Sequence, residues 1–407
     1  MRSIKDIYKV GTGPSSSHTM GPAAAAKLFR EENPDAASFK VMLYGSLSKT
    51  GRGHGTDRAI IYEMEPVNTE VIFSTEDPSD MKHPNTMDLF AYDKDGNETA
   101  SMRVQSIGGG DIRIEGRDTA GDENEEIYLE NSFAEIKQFC ECRYIAIDKY
   151  IEINEGVQIW EYLAGIWEVM KQAINDGLNE EGILPGGLNI QRKAHLLYNK
   201  ELATKHPEVI ECQMVCAYAY AVSEQNADNG IIVTAPTCGS CGVLPAVLYY
   251  LQEKKHYSDE KIVRALGVAG LFGELAKKNA SVSGAECGCQ AEIGVACSMA
   301  AAAAGYLFDY NINQIEYAAE IALEHHLGLT CDPICGLVQI PCIERNAVAA
   351  MRALTSMNLA YFLTDTRRIS YDMVLKSMYR TGLDMNKRYR ETSEGGLAAA
   401  YTRRGGD

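Results

Sequence analysis

In the first part of the chain, apolar and polar residues alternate in short runs: FKVMLYGSL, TEVIFST, SMRVQSI, DIRIEG and EIYLENSF. A period of two puts successive side chains on opposite faces, as in a strand with one covered face. Turn residues such as DKDGNE and GGGD separate the runs. Residues 1–150 are therefore predicted to form a small α+β domain with an antiparallel sheet. Its first helix is expected after Gly21-Pro22, with Pro near the start and AAAAKLF following.

From about residue 156 the period lengthens. IWEYLAGIWEVMKQAINDGL, EVIECQMVCAYAYAVSEQ, KIVRALGVAGLFGELAKK and QIEYAAEIALEHHL carry helical spacing and good helix formers. The segments between them, GILPGGLN, VTAPTCGSCGVLP and NASVSGAECGC, are loop-like. A mostly α-helical domain, 156–407, is expected, with its functional groups on the loops. The most apolar stretch, Ile293–Phe308, is largely Ala. A membrane span needs about 20 strongly apolar residues, so this stretch is expected as a buried central helix.

Composition narrows the function. A net charge of −17 disfavours a nucleic-acid or anionic-membrane partner. The N-terminus MRSIKDIYKVGTG lacks the apolar segment of a secretory signal, which suggests a cytoplasmic protein. In that compartment twelve cysteines imply metal binding or redox chemistry more readily than disulfides.

The cysteines cluster in GAECGCQAEIGVACSM and TCDPICGLVQIPCIERNA. Pro333 and Pro341 interrupt helix around Cys331 and Cys342, so these thiols are expected on irregular backbone aimed at a common point. Iron–sulfur clusters are held by thiolates from such loops. Zinc competes through Cys287/Cys289, Cys238/Cys241 and Cys212/Cys216, and spacing alone does not separate the two. Cys297, deep in the Ala-rich run, reads as a small core residue.

Two further segments offer chemistry. GTGPSSSHTMGP places Ser15, Ser16, Ser17, His18 and Thr19 before a helix start, where hydroxyls and free N–H groups suit a carboxylate or phosphate. KTGRGHGTDRAI sets His54 between glycines, where backbone can approach a ligand and an imidazole can act as base. HPNTM, SIGGGDIR, TAPTCGSCG and KKNASVSGAE are small polar loops able to surround a compact polar ligand, although Gly108-Gly109-Gly110 also reads as a hairpin turn.

Taken together, GTGPSSSHTMGP, GRGHGTDRAI, SIGGGDIR, TAPTCGSCGVLPAV, KKNASVSGAECGCQAEIGVACSMA and LTCDPICGLVQIPCIERNA resemble the bacterial iron–sulfur L-serine dehydratase family. The form resembled has its beta and alpha regions fused, and the matches run from about residue 4 to about 398. The resemblance implies a lyase of amino-acid catabolism that converts L-serine to pyruvate and ammonia. It implies a 4Fe-4S cluster held by Cys289, Cys331 and Cys342, with Cys287 or Cys335 as exchangeable candidates. It places His54 and His18 in motifs that line the site. Their chemistry suits His54 as base and His18 as proton partner or substrate hydrogen-bond donor, with Ser15, Ser16, Ser17 and Thr19 holding the carboxylate and Asn279 and Ser281 around the substrate. A homodimer is expected. Some family members end in a cysteine that caps the cluster; here the last cysteine is Cys342 and the tail GGLAAAYTRRGGD has none. Three alternatives remain: the same elimination on L-threonine or L-cysteine, a pyridoxal phosphate lyase using Lys277 or Lys278, and a non-catalytic amino-acid sensor.

Overall fold

A computed structural model describes residues 1–117, 126–201 and 206–404 of the chain. Five strands make one sheet in the order β3-β2-β4-β5-β6, after a short β1 (Val10–Thr12) that lies elsewhere. They are β2 (Ser38–Leu43), β3 (Asn68–Phe73), β4 (Thr86–Tyr92), β5 (Glu98–Gly108) and β6 (Asp111–Ile114). In β2 the alternation predicted from sequence is realised: Phe39, Val41 and Leu43 are buried, and their neighbours only partly so. Helices Gly21–Glu32 and Thr56–Met64 cover that face with Ala25, Ala26, Phe29, Ile60 and Met64.

All pairs are antiparallel except β2–β3, which is parallel. The chain between those two strands carries helices Gly45–Thr50 and Thr56–Met64, a crossover that parallel neighbours require. The glycine triplet is the β5–β6 hairpin turn; Gly108, Gly109 and Gly110 all take positive φ, which costs glycine little. EIYLENSF forms no strand. Tyr128 instead enters the helical core, its hydroxyl bonded to Glu155 Oε1 at 2.8 Å, and Phe133 opens a helix that runs to Arg143.

The predicted central helix is Val295–Leu307, buried at every position but Tyr306. Alanines let its neighbours approach closely, and helices Val243–Lys255, Asp259–Asn279, Ile312–Glu324 and Cys342–Leu363 pack around it. Cys297 lies in that core as expected, its thiol directed at Ala349 O (3.2 Å). No helix among the described residues is long and apolar enough to cross a membrane.

Two connections join the regions. β1 pairs antiparallel with β7 (Ile231–Val233), and Ile4, Ile7 and Tyr8 are buried in the helical core. The His54 loop also lies against the Cys331–Cys342 loop. A Cβ on Gly53 would sit 2.7 Å from the carbonyl oxygens of Cys335 and Gly336. This explains one of the glycines beside His54: it admits backbone from the other region rather than a ligand. Gly55 has a different reason, a φ of 63° at the start of helix Thr56–Met64.

Candidate active site

The serine run forms a π-helical turn, Ser16–Met20, continuous with helix Gly21–Glu32. The helical segment thus begins earlier than Gly21, and Ser15 caps it by accepting from His18 N at 3.1 Å. Thr19 Oγ1 donates to the His54 carbonyl (2.9 Å), and Thr56 Oγ1 donates to that of His18 (2.6 Å). These crossed bonds hold the two imidazoles with centroids 4.4 Å apart, both rings buried. Ser15 and Thr19 are therefore occupied structurally, whereas the hydroxyls of Ser16 and Ser17 make no hydrogen bond among the described residues.

Between the rings stands Glu391, a residue that the sequence motifs did not single out. Its Oε1 is 3.3 Å from His18 Nδ1 and 3.9 Å from His54 Nε2. Hydrogen-bond direction fixes the tautomers. Thr50 O can only accept, so His54 Nδ1, 3.0 Å away, carries a proton and leaves Nε2 as a lone pair. Ser46 Oγ gives its proton to Glu391 O (2.7 Å), so it accepts from His18 Nε2 (3.1 Å) and leaves Nδ1 bare. Two lone pairs face one carboxyl oxygen, an arrangement that calls for a proton on Glu391. Its burial, reinforced by Cys289, pushes that carboxyl up to about 8. Burial pushes His54 down to about 4 and also lowers His18, with His54 adding to the effect on His18.

This makes a testable stability statement. Unfolded histidine titrates near 6.5. Because His54 titrates lower when folded, its contribution is fully present above pH 6.5 and is lost as pH falls toward 4. The stability of wild type relative to His54→Gln will fall by roughly 3 kcal/mol between pH 7 and pH 4. Urea denaturation of both proteins across that range measures it; a pH-independent difference contradicts the buried neutral imidazole.

Beyond Glu391 lie the thiols. Cys289, Cys331 and Glu292 place their ligand atoms within 4.8 Å of one another. The neighbouring Cys331 thiol holds Cys289 below the usual thiol range, with Arg345 assisting. Cys342, at the start of its helix, is buried beside the same guanidinium. Arg345 is fixed by Thr330 O (2.6 Å) and Asp332 Oδ1 (3.1 Å). Gly284 leaves room here: a Cβ on it would collide with Glu292 and lie 3.2 Å from Cys331 Sγ. Burial, together with the Glu391 carboxyl, pushes Glu292 up to about 8, and it accepts from Thr237 Oγ1 at 2.7 Å.

Three thiols from separate segments beside one cation are a donor set suited to a thiolate-held cluster. Cys335 is exposed in a left-handed conformation, and Cys287 packs against Gly382; neither joins the group. Cys238 faces Met20 Sδ at 3.4 Å, and Cys212 and Cys216 pair with each other on another helix. His18, His54 and Glu391 also have ligand atoms within 4.8 Å of one another.

Two other predicted substrate contacts are already engaged by protein partners. Asn279 is exposed, its amide bonded to Asn131 O (2.8 Å) and Leu275 O (3.1 Å). Ser281 Oγ is taken by Glu286 Oε2 at 2.6 Å. The C-terminal segment is what carries Glu391 in. Cys331 N donates to Tyr389 O and Glu391 N to Cys331 O, each at 2.8 Å, and Leu397 N donates to Asp332 Oδ2 (2.7 Å).

Comparison with known proteins gives the family. The serine dehydratase beta chain model matches residues 3–75, and the serine dehydratase alpha chain model matches residues 74–398. The L-serine dehydratase of Streptomyces coelicolor is 40% identical, covering 97% of this chain and 98% of the relative. L-serine dehydratase 1 of Escherichia coli K12 is 41% identical, covering 98% and 99%, and the Haemophilus influenzae L-serine dehydratase is 39% identical, also covering 98% and 99%. With both models matched in tandem along one polypeptide, the chain belongs to the serine dehydratase family.

Proposed function

We propose that the chain is an L-serine ammonia-lyase, and that the observation carrying this reading is a buried imidazole with a free lone pair facing Glu391, whose carboxyl in turn feels the Cys289 thiol of the cysteine group. Loss of the α-proton and the β-hydroxyl converts L-serine to aminoacrylate and water. Its imine tautomer then takes up water to give pyruvate and ammonia. His54 Nε2 is unprotonated at neutral pH and is the base for the α-proton; general-base catalysis of this kind contributes about 10²–10⁴-fold. Glu391 reaches both rings and provides a path by which that proton moves on to His18 Nδ1. The buried setting excludes water from the rings and so protects the base from solvent protons.

We assign Cys289, Cys331 and Cys342 to holding a 4Fe-4S cluster, with Arg345 balancing their negative charge. When bound, the cluster supplies Lewis acidity that makes hydroxide a viable leaving group. A homodimer and a cytoplasmic location belong to the same proposal. Lys277 and Lys278 are ill suited to a Schiff base: Lys277 pairs with Asp111 at 2.6 Å, and Lys278 with Glu126.

Anaerobically purified protein will contain iron and acid-labile sulfide in equal amounts and will release pyruvate from L-serine. Its kcat/KM for L-serine will exceed those for L-threonine and L-cysteine; a single methyl group is worth about 1–3 kcal/mol of discrimination. Cluster-loaded protein that releases no pyruvate would favour the sensor reading. Zinc without sulfide would overturn the cofactor assignment.

A further inference from the structure

Cys212 and Cys216 take no part in the site described above. They stand four residues apart on helix Pro207–Ala227, and their sulfurs lie 4.0 Å from each other. Cys212 is exposed, whereas Cys216 is half-buried and packs against the helical core.

The helix decides what such a pair can do. Side chains four apart share a face, with Cβ atoms about 5–6 Å apart. A disulfide needs Cβ atoms about 3.5–4.5 Å apart and sulfurs joined at about 2 Å. Closing one here would force the helix to unwind locally. A metal ion asks for less. Zinc–thiolate bonds of about 2.3 Å let two sulfurs on one ion stand up to about 4.6 Å apart, and about 3.8 Å at the tetrahedral angle. The observed 4.0 Å lies inside that range.

The charges point the same way. Burial and the neighbouring Cys212 push the Cys216 thiol up to about 12, so the two resist ionising together. A bound cation reverses that cost, because the thiolate is the ligand and the metal drives off the proton. Around Cys289 the chain supplies its own balancing charge in Arg345. Among the described residues no lysine or arginine bonds to either sulfur of this pair, so here the positive charge comes from outside. Glu208, one turn before Cys212 on the same face, is exposed and adds negative charge on the open side.

We propose that Cys212 and Cys216 form a second metal site, separate from the thiols around Cys289, which binds one thiophilic cation of the zinc–cadmium class per chain. Two thiolates of one helix turn hold the ion, and water completes its shell on the exposed side. Soft sulfur donors select such ions over magnesium or calcium. The site is independent of the lyase reading and of the cluster.

Cadmium is the probe, because its bond to sulfur gives an ultraviolet charge-transfer band. Titrated into the anaerobically prepared, cluster-loaded full-length protein, cadmium will raise that band to one equivalent per chain. Zinc will then displace it, and the visible iron–sulfur absorption will stay constant throughout. Cys212→Ser and Cys216→Ser will each abolish the band. Cys142→Ser removes an exposed thiol on helix Phe133–Arg143 and will leave the band intact. Because Cys212 is exposed, its variant folds as wild type and carries the test alone if Cys216→Ser does not fold. Absence of the band in wild type, its survival in Cys212→Ser, or its growth only as iron–sulfur absorption falls overturns the site. Should the purified protein contain no cluster, the assignment of Cys289, Cys331 and Cys342 falls, and loss of one cadmium equivalent in Cys212→Ser still establishes the second site.

Discussion

Replacing Cys331 by Ser will abolish both the bound iron–sulfur absorption and pyruvate release, while leaving the fold intact. The two side chains are nearly equal in size, and Cys331 serves the structure through its backbone, which bonds to Tyr389 O and Glu391 N whatever the side chain. What changes is donor chemistry. A thiol becomes a thiolate beside a cation, whereas an alcohol at neutral pH does not ionise and offers a harder oxygen. With three protein thiolates assigned to the cluster, losing one removes a third of its anchorage, so the expected outcome is loss of iron rather than a weakened centre. Cys335→Ser is the internal control. Only four residues away, that thiol is exposed and turned from the group, so iron, sulfide and turnover will remain at wild-type levels. Circular dichroism establishes that each variant is folded, and iron and sulfide analysis reads the cluster independently of activity. Retention of iron and turnover in Cys331→Ser, or their loss in Cys335→Ser, refutes the ligand assignment.

That contrast marks the boundary of what the sequence could say. Six cysteines in two short segments announced a thiol site, but a spacing does not tell which thiols face inward. Cys335 turns outward because its own backbone is left-handed, and Cys287 is held against Gly382 of a helix almost a hundred residues later. The helical half was legible from its period because packing around the Ala-rich helix demands that period. β2, β3, β5 and β6 were legible for the same reason, but β4 was not, because its run TMDLFAY is buried at nearly every position and shows no alternation. Strand direction was not legible either, since alternation is identical in parallel and antiparallel pairs and only the helices between β2 and β3 decide. EIYLENSF misled because an alternating run can also supply a single buried anchor, here Tyr128, to another element's core.

Glu391 shows a different limit. It lies in ETSEGG, a polar stretch with no periodicity, and reaches the histidines only because the segment pairs with the backbone of Cys331. Nothing local to residue 391 encodes that meeting. The substrate loops fall in between. HPNTM, SIGGGDIR and KKNASVSGAE were recognisable as polar and small, but which of their side chains is already bonded depends on partners such as Glu286 for Ser281 and Asn131 for Asn279.

His54→Gln will lower kcat/KM for L-serine by about 10²–10⁴-fold, the usual share of a positioned general base. Glutamine keeps a comparable size and its amide can still donate toward Thr50 O, so the loop and its contact with the Cys331–Cys342 segment should survive. It has no basic lone pair to offer in place of Nε2. Iron and sulfide will stay at wild-type levels, because none of the assigned cluster ligands has been altered; this separates the effect from that of Cys331→Ser. A second measurement isolates the step itself. If His54 removes the α-proton, exchange of that hydrogen with solvent deuterium will slow by the same factor as turnover when residual L-serine is recovered and analysed. A base elsewhere would leave exchange intact. The pH profile gives the sign of the same argument: with its conjugate acid near 4, His54 stays unprotonated down to about pH 5, so wild-type kcat/KM will hold level between pH 7.5 and 5.5. An ordinary histidine, titrating near 6.5, would cost about tenfold over that interval. Such a tenfold loss would show that the active imidazole is solvated, and a variant within tenfold of wild type would show that His54 is not the base.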